Sequence, residues 1–164
     1  MSIKQSVQRR GENLAPSKAA PLVVDEARML LPGIQALFGF QLIAVFNQTF
    51  SEILTPFEQR IHLLAIALIV LTSIILITPA AYHRQMEIQD VTEDFIHLAT
   101  KLILASMIPL SLSICLDFYL ISRIILDSID LPILLSVVMF FLFMIFWFGL
   151  PRSGILHRTL GRKR

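Results

Sequence analysis

Four long apolar stretches joined by short polar connections organise this chain. No charged residue occurs between Gly33 and Thr49, between Leu63 and Tyr82, or between Leu131 and Leu150. A helix rises about 1.5 Å per residue, so about 20 apolar residues cross a hydrocarbon layer of about 30 Å. By that measure the pattern predicts spans at about residues 33–50, 61–82, 98–120 and 132–150. Pro32 suits the first helical position of the first span, Pro132 opens the fourth, and Pro109 lies near the middle of the third. Period-two alternation, the mark of a barrel, is absent, and lipid leaves the edges of an open sheet unsatisfied. The expected fold class is all-α, a polytopic transmembrane four-helix bundle.

The flanking segments divide the chain into a polar arm (1–20), a four-span domain (21–151) and a basic tail (152–164). The arm lacks the apolar core of a signal peptide, so the first span is expected to serve as its own insertion signal. Residues 21–31 mix Leu22, Val23, Met29 and Leu30 with Asp25, Glu26 and Arg28, which fits a short interfacial helix or a simple extension of the first span. Twelve of the 14 lysines and arginines fall in the two ends and in the second connection with the start of the third span (Arg84 and Lys101), and two, Arg60 and Arg123, in the other connections. The positive-inside rule then predicts N-in and C-in, with both termini cytoplasmic in a cell (inner) membrane.

Bulk composition agrees with that reading. Of 164 residues 55% are hydrophobic and 16% charged, with a mean hydropathy of +0.74, which excludes a soluble globule. The net charge is +2, but the basic residues gather at the termini and form no groove, so the expected partners are anionic lipid headgroups and not nucleic acid. Cys115 is the single cysteine, which excludes an intramolecular disulfide and a cysteine metal cluster. No phosphate-binding loop, nucleophile elbow, zinc helix motif or paired carboxylates occur. No catalytic residue, metal or cofactor is expected, and an enzyme is the class with least support.

The polar residues inside the spans carry whatever chemistry there is. Taking Pro109 as the centre of the third span, Asp117 lies eight residues on, about 12 Å toward the outside, and Lys101 lies as far inward. Lys101 can snorkel; the shorter Asp117 cannot do so as well. At helical spacing Ser106, Leu110, Ser113 and Asp117 share one stripe, and Leu37, Gln41, Ala44 and Gln48 another. Gln48, His62 and Asp117 fall at one level with Gln41 deeper, so Gln41, Gln48, His62, Ser113 and Asp117 form a candidate intramembrane cluster. Interhelical hydrogen bonding and an ion or proton path are the two readings of it. Asp25, Glu26, Arg28, His83 and Arg84 form a second candidate cluster at the cytoplasmic interface. In the acidic connection Asp90 and Glu93 read as a helix cap sooner than as metal ligands. The aromatic residues of the fourth span, Phe140 to Phe148, read as a lipid-facing or packing surface.

The motifs PGIQALFGFQ (Pro32–Gln41) and PAAYHR (Pro79–Arg84), with LDFYLISR (Leu116–Arg123), resemble an uncharacterised family of small four-span bacterial membrane proteins. The family carries a domain-of-unknown-function label, and some members bear sodium/proton antiporter names. The resemblance implies a bacterial inner-membrane home and four helices; it brings no catalytic residues. Two functions follow as expectations. One is a non-enzymatic membrane module that binds a lipid or a partner, either a second copy or another membrane protein. The other is a small proton- or cation-linked transport unit.

Overall fold

The computed structural model describes residues 16–85, 93–126 and 128–150. Five helices follow in order: α1 (Pro16–Val45), the one-turn α2 (Phe50–Ile53), α3 (Pro56–Gln85), α4 (Glu93–Leu126) and α5 (Asp130–Phe143). A π-helical stretch, Met144–Gly149, continues α5. Among the described residues there is no strand. Four segments are long and apolar enough to cross a membrane: Asp25–Val45, Pro56–Tyr82, Asp94–Leu126 and Asp130–Gly149.

The first helix differs from the expected 33–50. It runs unbroken through residues 21–31, so this segment is continuous with the first span. It also passes through Pro32, which was expected to begin it. Proline at this position removes only the bond to the Arg28 carbonyl, a loss an otherwise apolar helix absorbs. The helix stops at Val45, and Phe46 to Thr49 turn toward α2, the Thr49 N–H donating to Asn47 Oδ1 at 3.0 Å.

The structural centre is the antiparallel pair α3 and α4. On α3 two sets of buried residues recur every seven positions: Glu58, Ala65, Thr72 and Pro79, and His62, Ile69 and Leu76. On α4 the sets are Ala99, Ser106, Ser113 and Leu120, and Ile103, Leu110 and Asp117, the last two half-buried. A 3.5-residue repeat keeps one seam facing a partner helix, and small residues along it let the backbones approach closely. Buried hydroxyls along the seam bond within their own helix: Thr72 to the Leu68 carbonyl (2.8 Å) and Ser106 to the Ile103 carbonyl (2.7 Å). Helix α1 lies across this pair, with Ile34 buried against Ile69, Leu76 and Ile103. Helix α5 packs on α4 and stays largely exposed, in keeping with its all-round apolar sequence.

The start of α3 is a reciprocal cap. Pro56 takes the first helical position, and Thr55 and Glu58 close on each other. The Thr55 N–H and hydroxyl both donate to Glu58 Oε2 (2.8 Å each), and the Glu58 N–H donates to Thr55 Oγ1 (3.3 Å). Glu58 Oε1 lies 3.6 Å from Arg123 Nε of α4, so the cap also ties the two helices together. Thr55→Ala is expected to lower stability by about 1 kcal/mol. Glu58→Ala should cost more, because it also strips α4 of this ion pair. Unfolding titration in mixed micelles measures both, and an effect near zero for Glu58→Ala would contradict the cap.

Candidate functional site: a polar clasp joining three helices

Ser113 departs from the other seam hydroxyls. It leaves its own helix and donates to the Ala65 carbonyl of α3 at 2.8 Å. It also accepts from Gln41 Nε2 of α1 at 3.1 Å. The same amide nitrogen donates to Asp117 Oδ2, one turn further along α4, at 2.6 Å. His62, one turn before Ala65, places Nε2 3.0 Å from the Gln41 backbone carbonyl and Nδ1 3.4 Å from Asp117 Oδ1. Gln41 is therefore held by both its side chain and its backbone. Gln41, Ser113 and His62 are buried, and Asp117 nearly so.

Partner chemistry assigns the hydrogens. A carbonyl can only accept, so His62 Nε2 carries a hydrogen and donates to Gln41. Nδ1 then faces the Asp117 carboxyl at 3.4 Å. With Gln41 Nε2 directed at Ser113 and Asp117, Gln41 Oε1 is buried with no hydrogen-bond partner among the described residues. Phe50 of α2 closes the cluster from its outer end, its ring 5.3 Å from the His62 ring and tilted by 59°.

A cleft of about 270 Å³ opens beside this clasp, between α1 and α4. Leu37, Phe40 and Ala44 form one wall, Leu120, Ile121 and Ile124 the other, with Phe50 and Leu54 at the end. Toward the opposite end of the molecule Ile34, Ile69, Leu76 and Ile103 pack together between α1, α3 and α4. Beyond the clasp the buried hydroxyls of Thr72 and Ser106 are turned back onto carbonyls of their own helices, among the apolar side chains of this cluster.

Of the expected intramembrane residues, Gln41, His62, Ser113 and Asp117 come together. Gln48 does not: α1 ends before it, and it lies exposed in the turn. A helix that stops at Val45 cannot carry the stripe from Ala44 on to Gln48. In the second group Asp25 pairs with Arg28 at 3.5 Å, while Glu26 and Arg84 are exposed. The side chain of His83 lies outside the described residues, as do Asp90, the rest of 86–92, the arm 1–15 and the tail 152–164. Among the described residues no group of three or more metal-binding side chains converges. Sequence reasoning missed Thr55, Glu58 and Arg123. The signal was present as TPFE, a proline-primed capping box five residues before the expected start of the span.

No curated protein and no solved structure matches the chain. A family model does match, over residues 20–151, and these include every residue of the clasp and of the cap. The chain belongs to that family, DUF6328, a family of unknown function.

Proposed function

We propose that this chain is an integral membrane protein of the cell (inner) membrane with both termini cytoplasmic, acting as a non-enzymatic module that binds a lipid chain or a partner helix beside α1. The observation that carries the reading is the way α1 is attached. It meets the α3–α4 pair at an apolar patch around Ile34 and at the Gln41 clasp, and leaves the apolar α1–α4 cleft between itself and α4. In a bilayer such a cleft is filled by an acyl chain or by side chains of a neighbouring helix, through close packing. The partner is a second copy of the chain or another membrane protein. Phe40, 70% exposed at the cleft's edge, gives a test. A photo-crosslinking residue at Phe40 should yield a discrete lipid or protein adduct, and Ala44→Trp, which fills the cleft, should abolish it. An adduct unchanged by Ala44→Trp would refute the reading.

The distribution of lysine and arginine supports the orientation. With Cys115 replaced by serine, a cysteine at exposed Ser51 should react with an impermeant thiol label in intact cells, whereas one at exposed Asp94 should react only after lysis. The opposite pattern would invert the topology.

A second reading, proton- or cation-linked transport, draws on a different observation. His62 and Asp117, two ionisable side chains, face each other at 3.4 Å in a largely buried site. That arrangement suits a group that gains and loses a proton as an ion passes. The apolar cluster in the other half of the interior favours binding over passage.

A further inference from the structure

We propose that a second cleft, at the opposite end of the α1–α3–α4 assembly, binds one anionic phospholipid, its phosphate held by Arg28 and Arg84 and an acyl chain lying against Leu31 and Ile77. This inference rests on the membrane reading above. The cleft has a volume of about 300 Å³ and is lined by Leu31 of α1, Ile77 of α3 and Ala99 and Ile103 of α4, with the two arginines as its charged members. Arg84 follows His62 by 22 residues on one unbroken helix, about 33 Å away at 1.5 Å per residue. That is one hydrocarbon thickness, so if the clasp lies near one boundary of the bilayer, the arginines lie at the other.

The lining matches the chemistry of the ligand. Guanidinium forks bind phosphate oxygens in a bidentate manner, and an apolar cleft directly beneath takes the chain. Both arginine residues are exposed, so neither must be uncovered first. Arg28 faces Asp25 at 3.5 Å, with 77% and 57% of the two side chains exposed. Such a pair contributes little, and a guanidinium has five donors, which leaves several for phosphate. Two cations at one mouth favour a headgroup of net negative charge over a zwitterion, whose own cation they repel.

The test uses the full chain in nanodiscs of mixed phosphatidylglycerol and phosphatidylcholine, followed by native mass spectrometry of retained lipid. The wild type should retain phosphatidylglycerol preferentially. Arg28→Gln with Arg84→Gln should weaken that retention about 30-fold, each cation contributing about fivefold at a membrane surface. Arg28→Lys with Arg84→Lys should restore most of it, which separates lost charge from misfolding. Ile77→Trp, filling the cleft with both arginines intact, should also abolish retention, whereas Arg60→Gln, exposed at the other end of α3, should not. Equal retention of both lipids by the wild type, a Gln pair that behaves as wild type, or an Ile77→Trp variant with full retention would each overturn the proposal. Failure to incorporate into nanodiscs of any composition would instead overturn the membrane reading on which it rests.

Discussion

Asp117→Leu should be among the most destabilising single substitutions in this protein, with a loss of about 2–3 kcal/mol. The size follows from what is stranded. Gln41 Nε2 loses its 2.6 Å acceptor and His62 Nδ1 the carboxylate 3.4 Å away, both in a buried setting. A buried group left without its partner costs about 1–3 kcal/mol. An average interhelical hydrogen bond in a membrane is worth about 0.6 kcal/mol, so a loss of this size would mark a network and not one contact. Charge pairing makes the effect non-additive. His62→Phe combined with Asp117→Leu should be less destabilising than the sum of the two singles, because no half of the pair remains. Unfolding titrations of the wild type, the two singles and the double variant give the coupling directly. Strict additivity would show that the two side chains act independently and would dissolve the clasp as a unit.

The clasp was partly legible in the sequence because its members stand out chemically. A glutamine, a histidine, a serine and an aspartate inside apolar stretches have few innocuous explanations, and helical spacing put Ser113 and Asp117 on one face. What spacing along one helix cannot supply is the angle between helices. Whether Gln41 met Ser113 or faced lipid depended on how α1 crosses the pair, and on α1 ending at Val45, which detached Gln48. The seven-residue recurrence of Ala65 and Thr72, and of Ala99, Ser106 and Ser113, was also readable. It is hidden by the surrounding leucines and isoleucines, since in a span every position is apolar and hydrophobicity no longer marks the buried side. Small and hydroxylated residues mark it instead. Helix starts were read too late for a related reason. Hydropathy locates the part of a helix that suits hydrocarbon, while capping, as at Thr55–Glu58, sets where the helix itself begins.

Asp117→Asn should leave the fold intact and remove only the ionisable group, which makes it the variant that separates binding from transport. Asparagine offers Oδ1 to Gln41 Nε2 in place of the carboxylate, and its Nδ2–H₂ can donate to an unprotonated His62 Nδ1. His62 then keeps the hydrogen on Nε2 that it donates to the Gln41 carbonyl, and each bond of the clasp retains a donor and an acceptor. The variant should therefore unfold within about 1 kcal/mol of the wild type, in contrast to Asp117→Leu. Reconstituted in liposomes under a pH or sodium gradient, the two readings diverge. Transport through the His62–Asp117 pair requires that the wild type dissipate the gradient and the asparagine variant fail to do so at equal stability. A binding module dissipates nothing in either form, an outcome that the apolar packing of Ile34, Ile69, Leu76 and Ile103 beyond the clasp favours. Flux from the wild type that Asp117→Asn abolishes would mean that this cluster opens, and would replace the binding reading with transport. Equal flux from both proteins would also count against the binding reading, while taking Asp117 out of the path and leaving its contact with His62 purely structural.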